Sequence, residues 1–234
     1  MIGTLSEALA RHGMRLRGTL EVQSSDAPRL QLPPFPHGNG AAVLCLVGVV
    51  GSEFWPHFKA SHFYADGLPD PLDRWSRHIG DALAHEHQGL VLYPFDGPPW
   101  HPFQQWADLC EPTQPSPLML RIHPEYGLWH AYRFALLLAA DTTGTSISTK
   151  AESLCANCAT QACLHTCPVQ AYTGTAFMLN ACANHLRSPQ GGLCMEHGCQ
   201  ARLACPLGTE FRYNHEHAAF HMQAFLQARP FVES

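Results

Sequence analysis

The sequence predicts an α+β protein with helices packed over a sheet, followed by a small, mostly helical unit rich in cysteine. Two observations predict this class. Short apolar runs typical of strands alternate with segments of helical periodicity, and eight of the ten cysteines lie between residues 155 and 205. We expect two domains, 1–145 and 146–234, joined through the polar stretch 141–150.

The first elements follow from local patterns. Thr4 and Glu7 form a capping-box pattern that predicts a helix through about Leu16. Residues 20–22 alternate between apolar and polar side chains, which predicts a half-buried strand. The apolar run 42–50 predicts a strand buried on both faces.

A longer helix and further strands are predicted downstream. Asp70 and Pro71 have the residue types that begin a helix, and apolar residues at helical spacing follow until Gly89. Further strands are expected at 90–95, 118–122 and 132–140.

Composition excludes several classes of protein. Charged residues make up 14% of the chain and the formal net charge is −5, which argues against a nucleic-acid-binding surface. The N-terminus lacks the apolar core of a signal peptide. The longest apolar run, 41–50, is about half of what a membrane helix needs. We therefore expect a cytoplasmic protein with neither a membrane nor a nucleic acid as partner.

The eight clustered cysteines form two runs, and each run ends in Cys-Pro. The runs are Cys155-x2-Cys158-x4-Cys163-x3-Cys167-Pro168 and Cys182-x11-Cys194-x4-Cys199-x5-Cys205-Pro206. In a reducing compartment such cysteines are metal ligands more often than disulfides. Runs that end in Cys-Pro are typical of iron–sulfur ferredoxins, which predicts two 4Fe–4S clusters.

The pairing follows from the rule that the cysteine before proline ligates the other cluster in two-cluster ferredoxins. The predicted metal ligands are therefore Cys155, Cys158, Cys163 and Cys205 for one cluster, and Cys167, Cys182, Cys194 and Cys199 for the other. Structural zinc is the main alternative, but its ligands usually come in two short pairs, and this sequence has a single Cys-x2-Cys. His165, His185 and His197 could each replace a ligand or face solvent.

Most of residues 30–210 resemble two families that share a nitroreductase-like α+β fold with a corrinoid pocket. The cysteine order resembles the ferredoxin module of epoxyqueuosine reductases, which depend on cobalamin and carry two 4Fe–4S clusters. The upstream part resembles cobalamin-processing proteins of the CblC type. The segments that carry this second resemblance are Leu32-Pro-Pro-Phe-Pro36, Asp70-Pro-Leu-Asp73 and Ile122-His-Pro-Glu-Tyr-Gly-Leu-Trp-His-Ala-Tyr-Arg133.

The resemblance also implies a set of corrinoid-binding residues. Arg133 matches an arginine that CblC-type proteins place near the corrinoid, although a strand arginine paired with a neighbouring acid explains it equally well. The remaining candidates are His123, Tyr126, Gly127 and Trp129, with Trp100 from the aromatic loop 93–106. His123 and His130 could also approach cobalt, but a histidine in such a loop is more often a hydrogen-bonded structural residue.

Two departures from epoxyqueuosine reductases argue against tRNA as a substrate. Gln114-Pro-Ser-Pro117 stands where those enzymes carry a proton-donating aspartate, and the sequence ends at Ser234 without their C-terminal extension.

The sequence therefore predicts an oxidoreductase that binds cobalamin. It would pass electrons from two 4Fe–4S clusters to corrinoid cobalt, removing an upper ligand or reducing a substrate above it. A low-potential donor protein or reductase would supply the electrons. The alternatives are a ferredoxin-type electron carrier without a corrinoid, and a cobalamin chaperone whose clusters are structural or redox-sensing.

Overall fold

The computed structural model describes residues 2–35, 42–139 and 153–229. The described residues divide into two compact units. The first unit contains residues up to 112 together with 130–139, and the second contains 113–129 together with 153–229. The stretch 141–150, expected to join two domains, lies outside the described residues. Segment 113–129, expected in the first domain, belongs to the compact unit that carries the clustered cysteines.

The elements are numbered in chain order. The strands are β1 Arg15–Val22, β2 Ala42–Val50, β3 Leu90–Leu92, β4 Gln114–Pro115, β5 Arg121–Ile122 and β6 His130–Ala139. The helices are α1 Ile2–Ala10, α2 Ala27–Leu30, α3 Trp55–Ala60, α4 His62–Ala65, α5 Pro71–Glu86, α6 Phe103–Cys110, α7 Ala162–His165, α8 Leu179–Arg187, α9 Gly192–His197, α10 Gln200–Leu203 and α11 His215–Gln227.

The first unit is built on a four-stranded antiparallel sheet in the order β1-β2-β6-β3. All nine residues of β2 are buried, as the apolar run 42–50 predicted. Helix α5 packs on β6 and β3, while α1 and α6 pack on β1. Cys45, in β2, is fully buried and serves as a small core residue, and burial raises its pKa to about 12.

The predicted helix through Leu16 is too long. Helix α1 ends at Ala10, and β1 begins at Arg15. Gly13 has a φ of 64° and approaches Phe54 so closely that an added Cβ would lie 2.6 Å from its Cα. A glycine in the left-handed conformation is a common helix terminator. The chain therefore reverses there, and Leu16 lies in the strand.

Helix α5 begins and ends close to the predicted positions, but Asp70 does not cap it. Asp70 takes the left-handed conformation with a φ of 51°, and its side chain makes no capping hydrogen bond.

Two predicted strands are shorter than expected. Segment 90–95 contributes only β3, and 118–122 contributes only β5, which pairs with β4. Proline lacks the N–H that a sheet ladder needs, and Pro115 and Pro117 limit this pairing.

The second unit is mostly helical. Helix α9 packs against α11, and α7 packs against α10. Asn214 caps α11 by accepting a 2.9 Å hydrogen bond from the backbone N–H of His217. The α+β class is confirmed. No helix among residues 2–35, 42–139 and 153–229 is long and apolar enough to cross a membrane.

Candidate iron–sulfur and corrinoid sites

Four of the predicted ligands line one cavity in the second unit. Cys155, Cys158, Cys163 and Cys205 face a space of about 290 Å³. Cys155 and Cys158 come from the segment before α7, Cys163 from α7 itself, and Cys205 from the loop after α10. Three ligands therefore come from one short run, while the fourth comes from the end of the other run.

The walls of this cavity are mainly apolar. They include Pro117, Ile122, Leu154, Pro206 and Leu207. Ile122 is buried in a small core with Leu128, Ala201 and Cys205. An apolar wall limits water around a buried cofactor, and burial is one of the factors that set the potential of an iron–sulfur cluster.

The thiols of this first group influence one another. Burial, and then the neighbouring Cys205, Cys163 and Cys158, raise the pKa of Cys155. Burial and the neighbouring Cys205 and Cys158 also raise the pKa of Cys163. Cys158 is the exception, because a hydrogen bond from the backbone N–H of Gln161 lowers its pKa. Backbone N–H groups that point at sulfur stabilise thiolates and tune a bound cluster.

The other four predicted ligands form a second group. Burial, followed by the neighbouring Cys199, Cys167 and Cys194, raises the pKa of Cys182 to about 11. Cys199 and Cys167 also raise the pKa of Cys194, after burial. The four predicted ligands of the second cluster are therefore neighbours in the structure.

Polar groups also surround the second group. The backbone N–H of Ala171 donates to Cys167 Sγ at 3.3 Å. The Nε2 of His185 lies 3.8 Å from Cys194 Sγ, so His185 is a neighbour of this group and not simply a solvent-facing side chain. The hydroxyl of Tyr172 donates a hydrogen bond to the side chain of Cys199. Burial, followed by the neighbouring cysteines, raises the pKa of Tyr172.

The residues present fit iron–sulfur clusters in donor type and number, and the first group also provides the space. Within the described ranges, no three His, Cys, Asp or Glu side chains converge on a site for a single metal ion. A 4Fe–4S cluster makes a different demand, because its four thiolates bind four different irons. The first group supplies four sulfurs around one cavity, and the second supplies four sulfurs close enough to perturb one another.

The predicted corrinoid residues between 122 and 129 lie in the second unit, in contact with its own residues. His123 Nδ1 accepts backbone hydrogen bonds from Glu125 at 3.1 Å and Tyr126 at 3.2 Å. The ring of His123 stacks on Tyr126 with centroids 4.3 Å apart. An added Cβ on Gly127 would lie 2.1 Å from the carbonyl oxygen of Leu207. His123 therefore has the contacts of a hydrogen-bonded structural residue.

Trp129 is also held by protein contacts. It is buried, and its ring packs edge-on against Tyr213 with centroids 5.3 Å apart. The guanidinium of Arg202 lies 4.6 Å from the centre of the Trp129 ring and 4.4 Å from that of Tyr213. Arg202 also donates a 3.1 Å hydrogen bond to the carbonyl of Leu128. This arrangement ties segment 113–129 to the helices of the second unit.

Arg133 lies on β6 in the first unit, where its guanidinium is already engaged. It donates to Ser76 Oγ at 2.9 Å, to the carbonyl of Leu72 at 3.2 Å and to the Asp73 carboxylate at 2.6 Å. The Arg133 side chain is 11% exposed. Arg133 is therefore a strand arginine in a salt bridge with a neighbouring acid, which was the alternative to a corrinoid contact.

The remaining candidates also lie in the first unit. Trp100 is 60% exposed in the loop before α6. His130 is buried at the start of β6, with its ring edge-on to Tyr132. The aromatic residues Tyr93, Phe103 and Trp106 of the same stretch, 93–106, are buried in the core. Trp100 is thus the member of the predicted corrinoid set with the most exposed side chain.

One buried polar group was missed by the sequence analysis. Arg17 on β1 donates to both carboxylate oxygens of Glu111, at 2.8 and 3.1 Å, and the two side chains are 2% and 5% exposed. The hydroxyl of Tyr132 donates to the same carboxylate. Burial raises the pKa of Glu111, while Arg17 and Tyr132 oppose that rise. Nothing local in the sequence around Glu111 points to this partnership.

Cys110 is a core residue of the first unit. It ends α6 and packs in the sheet core, where an added Cβ on Gly18 would lie 2.7 Å from its Cβ. Burial raises the pKa of Cys110 to about 12, so its thiol stays protonated.

Comparisons with known proteins agree with this fold. No protein-family model and no curated protein matches the sequence. Among solved structures, the chain is similar to the B12-trafficking protein CblC of C. elegans, with a TM-score of 0.53 and 12% identity over 99% of this chain and 97% of that one. The chain has a CblC-like fold. The resemblance inferred from the sequence is thus confirmed at the level of the fold.

Epoxyqueuosine reductases are also among the similar structures. One, solved with an epoxyqueuosine-modified tRNA stem loop, has a TM-score of 0.44 and 14% identity over 92% of this chain and 68% of that one. The enzyme from Bacillus subtilis has a TM-score of 0.45 and 15% identity over the same shares.

Proposed function

We propose that this protein is an iron–sulfur-dependent reductase that acts on a corrinoid. Two 4Fe–4S clusters would be held by the two cysteine quartets, and they would supply one-electron reduction of corrinoid cobalt, with loss of an upper ligand or reduction of a substrate above it. The observation that carries the proposal is the convergence of four cysteines on one cavity of about 290 Å³, with the other four clustered cysteines near one another.

The residues around the first quartet have defined roles in this proposal. Four thiolates bind the irons, and the backbone N–H groups of Gln161 and Leu207 donate toward the sulfurs of Cys158 and Cys205. Such hydrogen bonds raise the potential of a cluster, whereas apolar surroundings lower it by disfavouring added charge. A low-potential donor protein or reductase would supply the electrons.

The corrinoid part of the proposal is supported by similarity to a B12-trafficking protein along nearly its whole length. The set of contact residues needs revision, however. Trp100 is the member of the set most open to a ligand, because the others are in contact with neighbouring protein groups. Those others are Arg133, His123, Gly127 and Trp129. We propose that Trp100 contacts the corrinoid and that the others position the surrounding backbone.

Those same contacts favour a second candidate function. A ferredoxin-type electron carrier would use both clusters and would need no corrinoid-binding residues. Arg133, His123 and Trp129 would then have purely structural roles, which is how the structure engages them.

One experiment separates the two functions. Protein purified without oxygen should contain about eight irons and eight sulfides per chain and show broad absorbance near 400 nm, because each cluster holds four of each. Hydroxocobalamin is then titrated into the oxidised protein and followed by visible absorbance. A saturable spectral change, followed by cobalt reduction when a low-potential donor is added, supports the reductase. Full iron content without any corrinoid response supports the carrier, and iron-free protein that holds zinc contradicts both.

A further inference from the structure

A second cavity, in the first unit, lies among histidines that the proposed function does not use. Its volume is about 310 Å³, and its walls include four histidines and two aromatic residues, which are His12, His57, His62, His78, Phe63 and Trp75. We call it the histidine cavity. Its volume is at the lower end of the range typical of small-molecule sites.

Four different elements bring these imidazoles together. His12 follows α1, His57 lies in α3, His62 begins α4 and His78 lies in the middle of α5. Ring contacts fix their positions. His12 meets Trp75 edge-on with centroids 6.4 Å apart, and His78 lies 5.5 Å from Phe63. The ring of His62 lies 3.9 Å from that of Phe63. Helices distant in sequence are thus packed so that imidazoles and flat apolar surfaces share one space.

The described residues that line the cavity include no carboxylate that could balance a protonated imidazole. Burial lowers the pKa of His12, and the nearby His57, Arg11 and His78 lower it further. The acid nearest to His62 in sequence, Asp66, is held by two 2.7 Å hydrogen bonds from Arg74, which with other contacts lower its pKa to about 2. An additional anion is therefore what would stabilise protonated imidazoles here.

The form of the ligand follows from these walls. Protonated imidazoles donate charge-assisted hydrogen bonds to anionic oxygens, and these are among the stronger hydrogen bonds in proteins. Phe63 is only partly buried and offers apolar surface to a flat ring. We propose that the histidine cavity binds a small anion with a flat apolar body, of the class of aromatic phosphates. The site is independent of the cysteine quartets, so the proposal stands or falls separately from the proposed function.

Phenyl phosphate is the probe, and calorimetric titration of the anaerobically purified full chain is the measurement. We expect binding with uptake of protons, seen as a dependence of the measured heat on the ionisation heat of the buffer. Because the anion favours the charged imidazole, affinity should fall at least about tenfold between pH 6 and pH 8. Phenol and inorganic phosphate, each lacking one half of the probe, should bind at least about tenfold more weakly.

Three variants and one control locate the site. His57→Gln and His78→Gln change exposed side chains and should each weaken phenyl phosphate binding about tenfold. His85→Gln is the matched control, because His85 is exposed on the same helix as His78 but does not line the cavity. It should bind like the wild type. Phe63→Leu should reduce the preference for phenyl phosphate over inorganic phosphate.

Several results would overturn the proposal. They are an absence of phenyl phosphate binding at pH 6, binding without proton uptake, phenol binding as tightly as phenyl phosphate, or equal losses in His78→Gln and His85→Gln. The iron content of each variant is measured alongside, so that a loss of clusters is distinguished from a loss of this site.

Discussion

Cys205 lines the same cavity as Cys155, although Cys167 lies far closer to Cys155 along the chain. Cys167 is instead a neighbour of Cys182 and Cys194. In the proposed function, the cysteine before proline in each run therefore belongs to the other cluster, and binding of one cluster would constrain the loop that supplies the other.

Replacing Cys167 or Cys205, the cysteines that precede proline, with serine tests this arrangement. Cys205→Ser should lose the cluster built on Cys155, and Cys167→Ser should lose the other one, because each cluster then has three thiolates. Each variant should retain about half of the iron, and the two variants should lose different EPR signals. Cys45→Ala, a core cysteine outside both groups, should keep all of its iron. Loss of the same signal in both serine variants would contradict the crossed pairing.

The close approach of Gly127 to Leu207 predicts a second effect on the clusters. Gly127→Ala places a methyl group 2.1 Å from the Leu207 carbonyl oxygen at a φ of 55°. The turn at residues 207–208 must then move, and it directly follows Cys205 and Pro206, which line the first cavity. We expect destabilisation of about 3 kcal/mol or more and partial loss of iron.

The control for Gly127→Ala is Gly67→Ala. Gly67 also has a positive φ, of 72°, but an added Cβ would meet no atom within 4 Å. Gly67→Ala should therefore cost only the backbone strain, about 1 kcal/mol, and keep full iron content. Chemical denaturation and iron analysis measure both effects. Equal effects in the two variants would show that the contact with Leu207 does not matter.

The four cysteines that the sequence assigned to one cluster line one cavity, whereas the protein contacts of the corrinoid candidates could not be predicted, and the reason is physical. Cluster ligands must be thiolates, and the Cys-Pro rule depends on local spacing alone. The partners of Arg133 lie on α5, far away in sequence, so no local pattern distinguishes its salt bridge from a ligand contact. The early end of α1 likewise depends on the approach of Gly13 to Phe54, a tertiary contact.

The buried pair of Arg17 and Glu111 should be essential to the stability of the first unit. Glu111→Gln keeps the shape but leaves the Arg17 charge without compensation, which costs about 3–5 kcal/mol in a buried site. Glu86→Gln, at an exposed glutamate of α5, should change the free energy of unfolding by less than about 0.5 kcal/mol. The double variant Arg17→Met with Glu111→Leu should recover much of the loss, because it removes both charges. A mild effect of Glu111→Gln in denaturant titrations would mean that the pair is solvated.

Arg133→Ala decides between a structural arginine and a corrinoid contact. The guanidinium loses hydrogen bonds to Ser76, Leu72 and Asp73, of which the bond to the carboxylate is the strongest. Because Asp73 is 37% exposed, we expect a loss of about 2 kcal/mol, which lowers Tm by about 4–8 °C in a chain of this length. Arg29→Ala removes a more exposed pair with Asp26 and should have little effect.

Hydroxocobalamin titration completes the test, provided that the wild type binds. If Arg133 serves only to hold α5 on β6, folded Arg133→Ala should bind within about twofold of the wild type. Asp73→Asn should then lower Tm in the same direction, and the double variant should be less destabilised than the sum of the single changes, because the residues act as a pair. A ten- to hundredfold weaker affinity in Arg133→Ala, with Asp73→Asn unaffected, would instead mean that the guanidinium leaves Asp73 to meet the corrinoid.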